Sequence, residues 1–338
     1  MIYAFSMFLA AIGVFEYSEE VNSIYSLTKT NLLPAMLFLM LLQVDFSHFF
    51  RLGKSLLVSY VLAVVSIAFG FITVFFLFSF GTDEAAAFGA LAGSWMGGTA
   101  NMIAVGSALG ISQEAYGYAL IVDSVNYTLW VMLLLFLVPF AKAFNNFTRS
   151  HENIPSLNEI GCACNMGAKR YWLLILFALV ASLASQMISL HVEILSKTTT
   201  IVLISSALGV LGSFTRLKTV NGSSEVATTM LYVLIALIGS KAVFESFSEV
   251  GLYVLAGFLI LVIHALIMVI GAKIFKLDLF SIAVSSLANI GGVASAPILA
   301  ATYNKALVSV GVLMAVMGYL IGTFGGLIVG NVLVELAK

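Results

Sequence analysis

Residues 85–110 read AAAFGALAGSWMGGTANMIAVGSALG, and residues 279–302 read LFSIAVSSLANIGGVASAPILAAT. Each stretch is apolar at its ends and polar at its middle. Each carries a diglycine at that middle, Gly97-Gly98 and Gly291-Gly292. Gly93, Gly97 and Gly98 each cost about 1 kcal/mol relative to Ala in a helix, and they sit beside Ser94, Thr99 and Asn101. Around the second pair lie Ser285, Ser286, Asn289, Ser295 and Pro297, and a proline removes a helical hydrogen bond. Both stretches predict a helix that breaks halfway. The alternative is close helix packing, for which Gly, Ser and Ala are also enriched.

The surrounding composition sets the solvent for these breaks. Of the 338 residues 61% are hydrophobic and 9% charged, with mean hydropathy +1.10. A soluble domain carries about 25% charged residues on its surface, so this chain belongs in lipid. Its formal charge of -1 gives no basic footprint for nucleic acid. Cys162 and Cys164 are its two cysteines; they lack metal-ligand spacing and read as free thiols. The first 15 residues, MIYAFSMFLAAIGVF, have no basic n-region, so no cleavable signal peptide is expected.

Apolar stretches fall at about 3–16, 31–46, 55–80, 85–110, 116–141, 171–191, 198–215, 226–240, 250–275, 279–302 and 306–335. Most approach the ~20 residues that cross about 30 Å of hydrocarbon as a helix. The weak alternation of a membrane β-barrel is absent. The expectation is an all-α polytopic membrane protein of about 10–11 membrane segments, spanning the bilayer as helices. Its partner is then the lipid bilayer, in a multi-pass arrangement.

The two broken stretches are related by a shift of 194 residues, from Gly97 to Gly291. The same shift puts Met36-Leu37 on Met230-Leu231, Phe50 on Phe244 and Ala100 on Ala294. This predicts two repeats, 1–141 and 171–338, joined by a polar linker over 142–170 that reads as a solvated loop and contains Pro155. The span at 171–191 has no counterpart after the shift, so the first repeat is expected to lack its first helix. Basic residues favour the cytoplasmic side. Arg51 with Lys54, Lys142 with Arg149, Lys169 with Arg170, Arg216 with Lys218, and Lys273 with Lys276 mark it; Asp83 and Glu84, and Glu245 and Glu249 against Lys241, mark the other. These positions fit an inverted repeat. In one solution 85–110 and 279–302 are re-entrant hairpins entering from opposite sides. In the other, 85–110 crosses as an unwound helix and one segment of 171–215 lies along the interface.

A break inside lipid exposes free N–H and C=O groups, which suit anions and Na⁺ respectively. Two related breaks therefore point to a central site. Ser94, Gly97, Gly98, Thr99, Asn101, Asn289, Gly291, Gly292 and Ser295 are its candidate substrate-binding residues. Ionisable residues inside spans are costly and often functional. Asp123, with Asn126 and Tyr127 one turn further on, is the candidate for ion coupling, or else an interfacial carboxylate. His264 is a second candidate, or a hydrogen-bonded structural histidine; Asp45 reads as an interfacial cap. His48, His151 and His191 lie in or beside loops. Neither a GxxxxGK loop, an HExxH nor a GxSxG motif occurs, and no nucleophile–base pair or metal-ligand set is visible. No enzymatic activity, catalytic residue or metal is expected.

GSWMGGTANMIAVGSALG and LIVDSVNYTLW in the first half, and IHALIMV, SSLANIGGVASAPILAA and GVLMAVMGYLIGTFGGLIVG in the second, resemble the domain of unknown function 819 (YjcL-like) family of bacterial and plastid membrane proteins. DFSHFFRLGK after LLPAMLFLMLLQV resembles that family's early basic turn. The resemblance covers nearly the whole chain. It implies a place in the superfamily of cation:proton antiporters and bile-acid:sodium symporters, which are inverted-repeat, elevator-type carriers. It also implies a homodimer, and an added N-terminal helix in most members. Antiporters of that superfamily often carry paired mid-membrane acids, whereas Asp123 stands alone here. The expected function is secondary transport of a small solute, an organic anion coupled to Na⁺ or H⁺, with Na⁺ the one cofactor-like ion. The alternatives are a Na⁺/H⁺ antiporter without an organic solute and a non-transport membrane scaffold.

Overall fold

A computed structural model describes residues 2–15, 18–42, 52–150, 167–192, 197–215, 217, 222–240, 248–304 and 307–338. The candidates Asp45, His48, Phe50, Arg51, His151, Pro155, Cys162, Cys164, Arg216, Lys218, Lys241, Phe244 and Glu245 lie outside these residues. Every regular element is helical. The first half contains α1 (Ile2–Ala11), α2 (Glu19–Leu41), α3 (Lys54–Phe78), α4 (Thr82–Gly97), α5 (Thr99–Leu109) and α6 (Gln113–Leu137), the last running through a 3-10 turn into α7 (Ala141–Thr148). The second contains α8 (Ala168–Ser189), α9 (Lys197–Ser213), α10 (Ser223–Ser240), α11 (Ser248–Phe275), α12 (Leu279–Ile290), α13 (Gly292–Tyr303) and α14 (Val308–Leu336).

The apolar segments are of two kinds. Among the described residues seven helices are long and apolar enough to cross a membrane: α2, α3, α6 with α7, α8, α10, α11 and α14. Shorter apolar helices, α5, α9, α12 and α13, fill the space between them. Large side chains line the outside at helical spacing, such as Val61, Val65 and Phe69 on α3 and Leu176, Val180 and Leu183 on α8. In water these stripes would be aggregation surfaces; in hydrocarbon they match the solvent. The chain is a multi-pass integral membrane protein.

The shift of 194 residues holds for the elements. It carries the start of α11 at Ser248 onto that of α3 at Lys54, and brings the starts of α13 and α14 within one residue of those of α5 and α6. The linker expectation needs one correction. Residues 141–148 are helical rather than loop, because Phe144 and Phe147 share an apolar face that packs toward α11 and α12.

By their packing the helices form two groups. In one, α2 is surrounded by α8, α9 and α10, with α1 laid on α10. The other holds α3 to α6 and α11 to α14, centred on the long contact between α14 and α4. Contacts between the groups are sparse and run through α9 on α5, α14 on α2 and α10 on α6. Two polar ties at this boundary are Tyr25 Oη to Gln113 Oε1 at 3.1 Å and Thr199 Oγ1 to the Ala108 carbonyl at 3.1 Å.

Both broken stretches are helical hairpins. A methyl placed on Gly93 would lie 2.8 Å from Val105 Cγ2, and one on Gly89 would lie 2.7 Å from Leu109 Cδ1. In an unbroken helix residues 89 and 109 would be about 30 Å apart. The reversal is made at Gly98, whose φ of 92° is open to glycine alone at little cost. In the second stretch Phe280 packs edge-on against Tyr303, with centroids 5.3 Å apart. Here the reversal falls at Gly292, φ 59°. Arms of 16, 11, 12 and 12 residues measure about 24, 17, 18 and 18 Å, too short to cross about 30 Å of hydrocarbon.

Helix α14 fixes how the hairpins face each other. Near its start Gly311 is pressed on Ala296 and Pro297 of α13; further along Gly318 meets Gly97, Gly326 meets Gly93 and Gly330 meets Gly89. So the second hairpin follows α14 from its N-terminal end and the first from its C-terminal end. Positions 311 and 330 are about 29 Å apart along the axis. The tips meet between them, with Gly98 Cα 3.9 Å from a methyl built on Gly292.

Candidate functional site

The meeting of the tips is bounded by α6. Ser112 caps this helix, accepting from the Ala115 N–H at 3.1 Å, and its first turn lies beside the open end of the first hairpin. Ten residues on, about 15 Å deeper, Asp123 faces the last turn before the first break. Trp95 Nε1 donates to its Oδ1 at 2.8 Å and Ser94 Oγ to its Oδ2 at 3.3 Å. One turn further, Tyr127 abuts Gly291 at the second break. Asp123 is therefore not interfacial. It lies far inside a helical run of 36 residues, at the level of both tips. Its partners among the described residues are neutral, and it is only partly buried by the protein. A carboxylate held this way is free to take a cation or a proton.

The candidate residues divide on this geometry. Asn101 is buried and fully used: its Nδ2 donates to the carbonyls of Gly97 at 2.7 Å and Gly318 at 3.3 Å, and its Oδ1 accepts from Thr323 Oγ1 at 2.6 Å. It bolts the first tip to α14. Gly97 is pressed against the Gly318 carbonyl and serves the same joint. Gly98 and Thr99 are partly exposed, and nothing lies within 4 Å of a methyl built on Gly98. Asn289 and Ser295 differ from Asn101. Asn289 Nδ2 bonds the Ser285 carbonyl of its own helix at 2.8 Å, while its Oδ1 and Ser295 Oγ are buried with no partner among the described residues. Ser295 Oγ abuts Gly291, and Gly292 touches the first tip. Unsatisfied buried acceptors are destabilising by about 1–3 kcal/mol each, so a site left with two of them is suited to a ligand.

Asn126 and His264 lie away from the tips. Asn126 does not share the Asp123 face: its Nδ2 reaches the carbonyls of Val122 at 3.0 Å and Val254 at 3.2 Å, against Gly257 of α11. His264 is buried between two serines, Nδ1 2.6 Å from Ser66 Oγ and Nε2 2.8 Å from Ser286 Oγ. Ser66 is also 2.9 Å from the Ala63 carbonyl, and Trp130 Nε1 donates to Ser286 at 2.9 Å. One arrangement satisfies every group: Trp130 donates to Ser286, Ser286 to Nε2, Nδ1–H to Ser66, and Ser66 to the Ala63 carbonyl. It needs a neutral imidazole and ends on backbone, so it ties α3, α6, α11 and α12 together rather than relaying protons.

Three features escape the sequence reading: Trp95 as the closest donor to Asp123, Thr323 as the partner of Asn101, and the glycine row of α14. Only the last had a signal, the spacing of four from Gly318 to Gly330. A cleft of about 280 Å³ runs between α4, α6 and α11, with Asp83, Glu84 and Glu114 near its mouth and Leu91 and Val122 further in, one turn short of Ser94 and beside Asp123.

Opposed hairpins with a buried polar junction, inside a coat of lipid-facing side chains, define a polytopic helical membrane protein. The chain belongs to the family described as protein of unknown function (DUF819), which it matches over residues 1–336. It is similar to the uncharacterized membrane protein YjcL of Bacillus subtilis (strain 168), at 24% identity over 352 residues, 96% of this chain and 87% of that protein.

Proposed function

We propose that this protein is a secondary active transporter of a small organic anion, coupled to Na⁺ or H⁺ and working by an elevator-type movement in the bacterial cytoplasmic membrane. The observation that carries this reading is the junction of the two breaks, where Asn289 Oδ1 and Ser295 Oγ lack partners on the same level as the carboxylate of Asp123. Non-helical backbone at membrane depth is tolerated where it lines a cavity or is buried in protein. The opposed hairpins and the element order at a shift of 194 residues support an inverted repeat over 1–141 and 171–338. The sparse boundary between the two helix groups supports relative motion, with α2 and its neighbours as the fixed group.

Coupling follows from charge. The first turns of α5 and α13 offer N–H groups to an anion, but Asp123 stands beside them. At an effective dielectric constant of about 20, like charges ~6 Å apart repel by roughly 3 kcal/mol. Neutralising Asp123 with Na⁺ or a proton removes that repulsion, so anion and cation bind together. The cleft from Asp83, Glu84 and Glu114 supplies a negatively charged approach for the cation.

Thermal unfolding of the purified protein tests this reading. Na⁺ in place of choline raises the melting temperature, and a panel of mono- and dicarboxylates contains members that raise it further only with Na⁺ present. Saturation at 100 times Kd corresponds to about 2.7 kcal/mol. Asp123→Asn abolishes the Na⁺ response while still folding. An unchanged Na⁺ response in that variant would overturn the assignment. Proton movement in vesicles driven by a Na⁺ gradient alone would replace it with Na⁺/H⁺ antiport.

A further inference from the structure

A second cavity, of about 430 Å³, opens on the far side of the second hairpin from the tips, between α6, α7, α11 and α12. Its lining is apolar, with Leu133 and Leu137 from α6, Met268 from α11 and Ile282 from α12. The hydroxyl in its wall, Ser286, is already engaged by Trp130 and His264. The groove offers nothing to a polar solute, and apolar cavities of this kind do not hold water.

The mouth of the groove has the opposite character. Phe144 and Phe147 of α7 close it on the apolar side, while Lys142 stands exposed on the other face of that helix and Arg149, the left-handed residue that ends it, is exposed too. Lys273 of α11 sits over the Phe147 ring, 4.3 Å from its centroid, and donates to the Phe147 carbonyl. Exposed Lys276 follows at the end of α11. The nearby carboxylate, Asp278, is buried and occupied with the Ser281 N–H at 2.8 Å and the hydroxyls of Ser281 and Ser55, so it does not neutralise these cations. A short helix with one aromatic and one basic face is the pattern of a segment lying in the membrane interface. From Phe140, at the foot of α6, to Trp130 at the inner end is about 15 Å of helix rise. That length takes part of one acyl chain.

We propose that this groove binds one acyl chain of an anionic phospholipid whose headgroup is held by Lys273, Lys142 and Arg149. The apolar trough takes the chain, and the cations at its mouth take the headgroup. The site is separate from the tips and does not depend on the transport reading.

Trp130 reports occupancy. The chain has three tryptophans; Trp95 is buried, and Trp172 is exposed to lipid and removed by Trp172→Phe. This variant is reconstituted into phosphatidylcholine vesicles containing an equal minor fraction of either phosphatidylglycerol or phosphatidylcholine, brominated in the half of the acyl chain nearer its terminal methyl, which reaches Trp130 at the inner end of the groove. Brominated phosphatidylglycerol should quench the fluorescence at concentrations roughly tenfold lower. Combining Lys142→Gln, Arg149→Gln and Lys273→Gln should erase that preference and leave the unquenched spectrum unchanged. Ala283→Phe, which fills the groove, should weaken quenching by both lipids. Equal quenching by both lipids in the parent, or a preference that survives the triple change, overturns the proposal. So does an absence of quenching, which would mean a second protein surface covers the groove.

Discussion

The two hairpins share one design and have opposite surroundings. The first is clamped: α14 runs down its length on Gly318, Gly322, Gly326 and Gly330, and Asn101 spends every polar atom on the joint. The second touches α14 mainly through α13 and keeps Asn289 Oδ1 and Ser295 Oγ unpartnered. In the second, backbone contact with α14 is made at Gly311, pressed on Ala296 and Pro297, whereas the first is followed along α4 by Gly318, Gly326 and Gly330. One side of the junction is a tightly packed wall, and the other keeps two polar atoms without partners among the described residues.

The largest test of this contrast is Gly97→Ala. Its methyl would collide with the Gly318 carbonyl and the Asn101 amide, both held by backbone or hydrogen bonds. A loss on the order of 3 kcal/mol or more is expected, seen as no monodisperse species in detergent; a well-folded variant would break the picture of a clamped wall. Next comes the asparagine pair. Asn101→Ala removes the three hydrogen bonds of the joint, leaving Thr323 only the long contact with the Tyr319 carbonyl, and is expected to destabilise by about 2–3 kcal/mol. Asn289→Ala removes an orphan acceptor and a bond to a carbonyl within its own helix, so a change within about 1 kcal/mol is expected. Chemical or thermal unfolding should rank them in that order, and the anion-dependent stabilisation should vanish in Asn289→Ala. The smallest effect belongs to Gly292→Ala. A methyl there meets only open space and Gly98 at 3.9 Å, leaving a backbone penalty of about 1 kcal/mol for φ 59°. At Gly291, which the shift of 194 residues pairs with Gly97, a methyl would meet only the side chains of Ser295, Tyr127 and Leu287, so equal damage from Gly97→Ala and Gly291→Ala would show that the hairpins are equivalent after all.

Much of the frame was legible in the sequence because it depends on local chemistry. The diglycines flanked by Ser, Thr and Asn at mid-stretch placed both reversals at Gly97-Gly98 and Gly291-Gly292, although a diglycine alone does not break a helix, since Gly325-Gly326 lies within the continuous α14. Span order follows from apolar length alone. What stayed hidden depends on neighbours distant in sequence. Nothing in GSWMGG says that the Trp95 indole turns to Asp123, and nothing near Asn101 reveals Thr323. The periodicity grouping Asp123 with Asn126 was too coarse, because i+3 and i+4 diverge enough for one to face the tips and the other Gly257. The charged run after residue 141 looked like plain linker since Phe144 and Phe147 are sparse among polar residues, although their spacing already matched one helical face.

The joint between α7 and the second hairpin carries one more consequence. The Leu279 amide at the head of α12 donates to Asn145 Oδ1 of α7 at 2.9 Å. Helix α7, a short rod with Phe144 and Phe147 on one face, is thus fastened to the foot of the second hairpin's wall. If that wall travels along the bilayer normal, the rod cannot stay behind. It must either drag its phenylalanines out of the acyl region, at about 25 cal/mol for each Å² bared, or pull the leaflet with it. The bilayer's own stiffness then becomes a spring on the transport stroke, so the thickness of the surrounding membrane sets how far the wall can move.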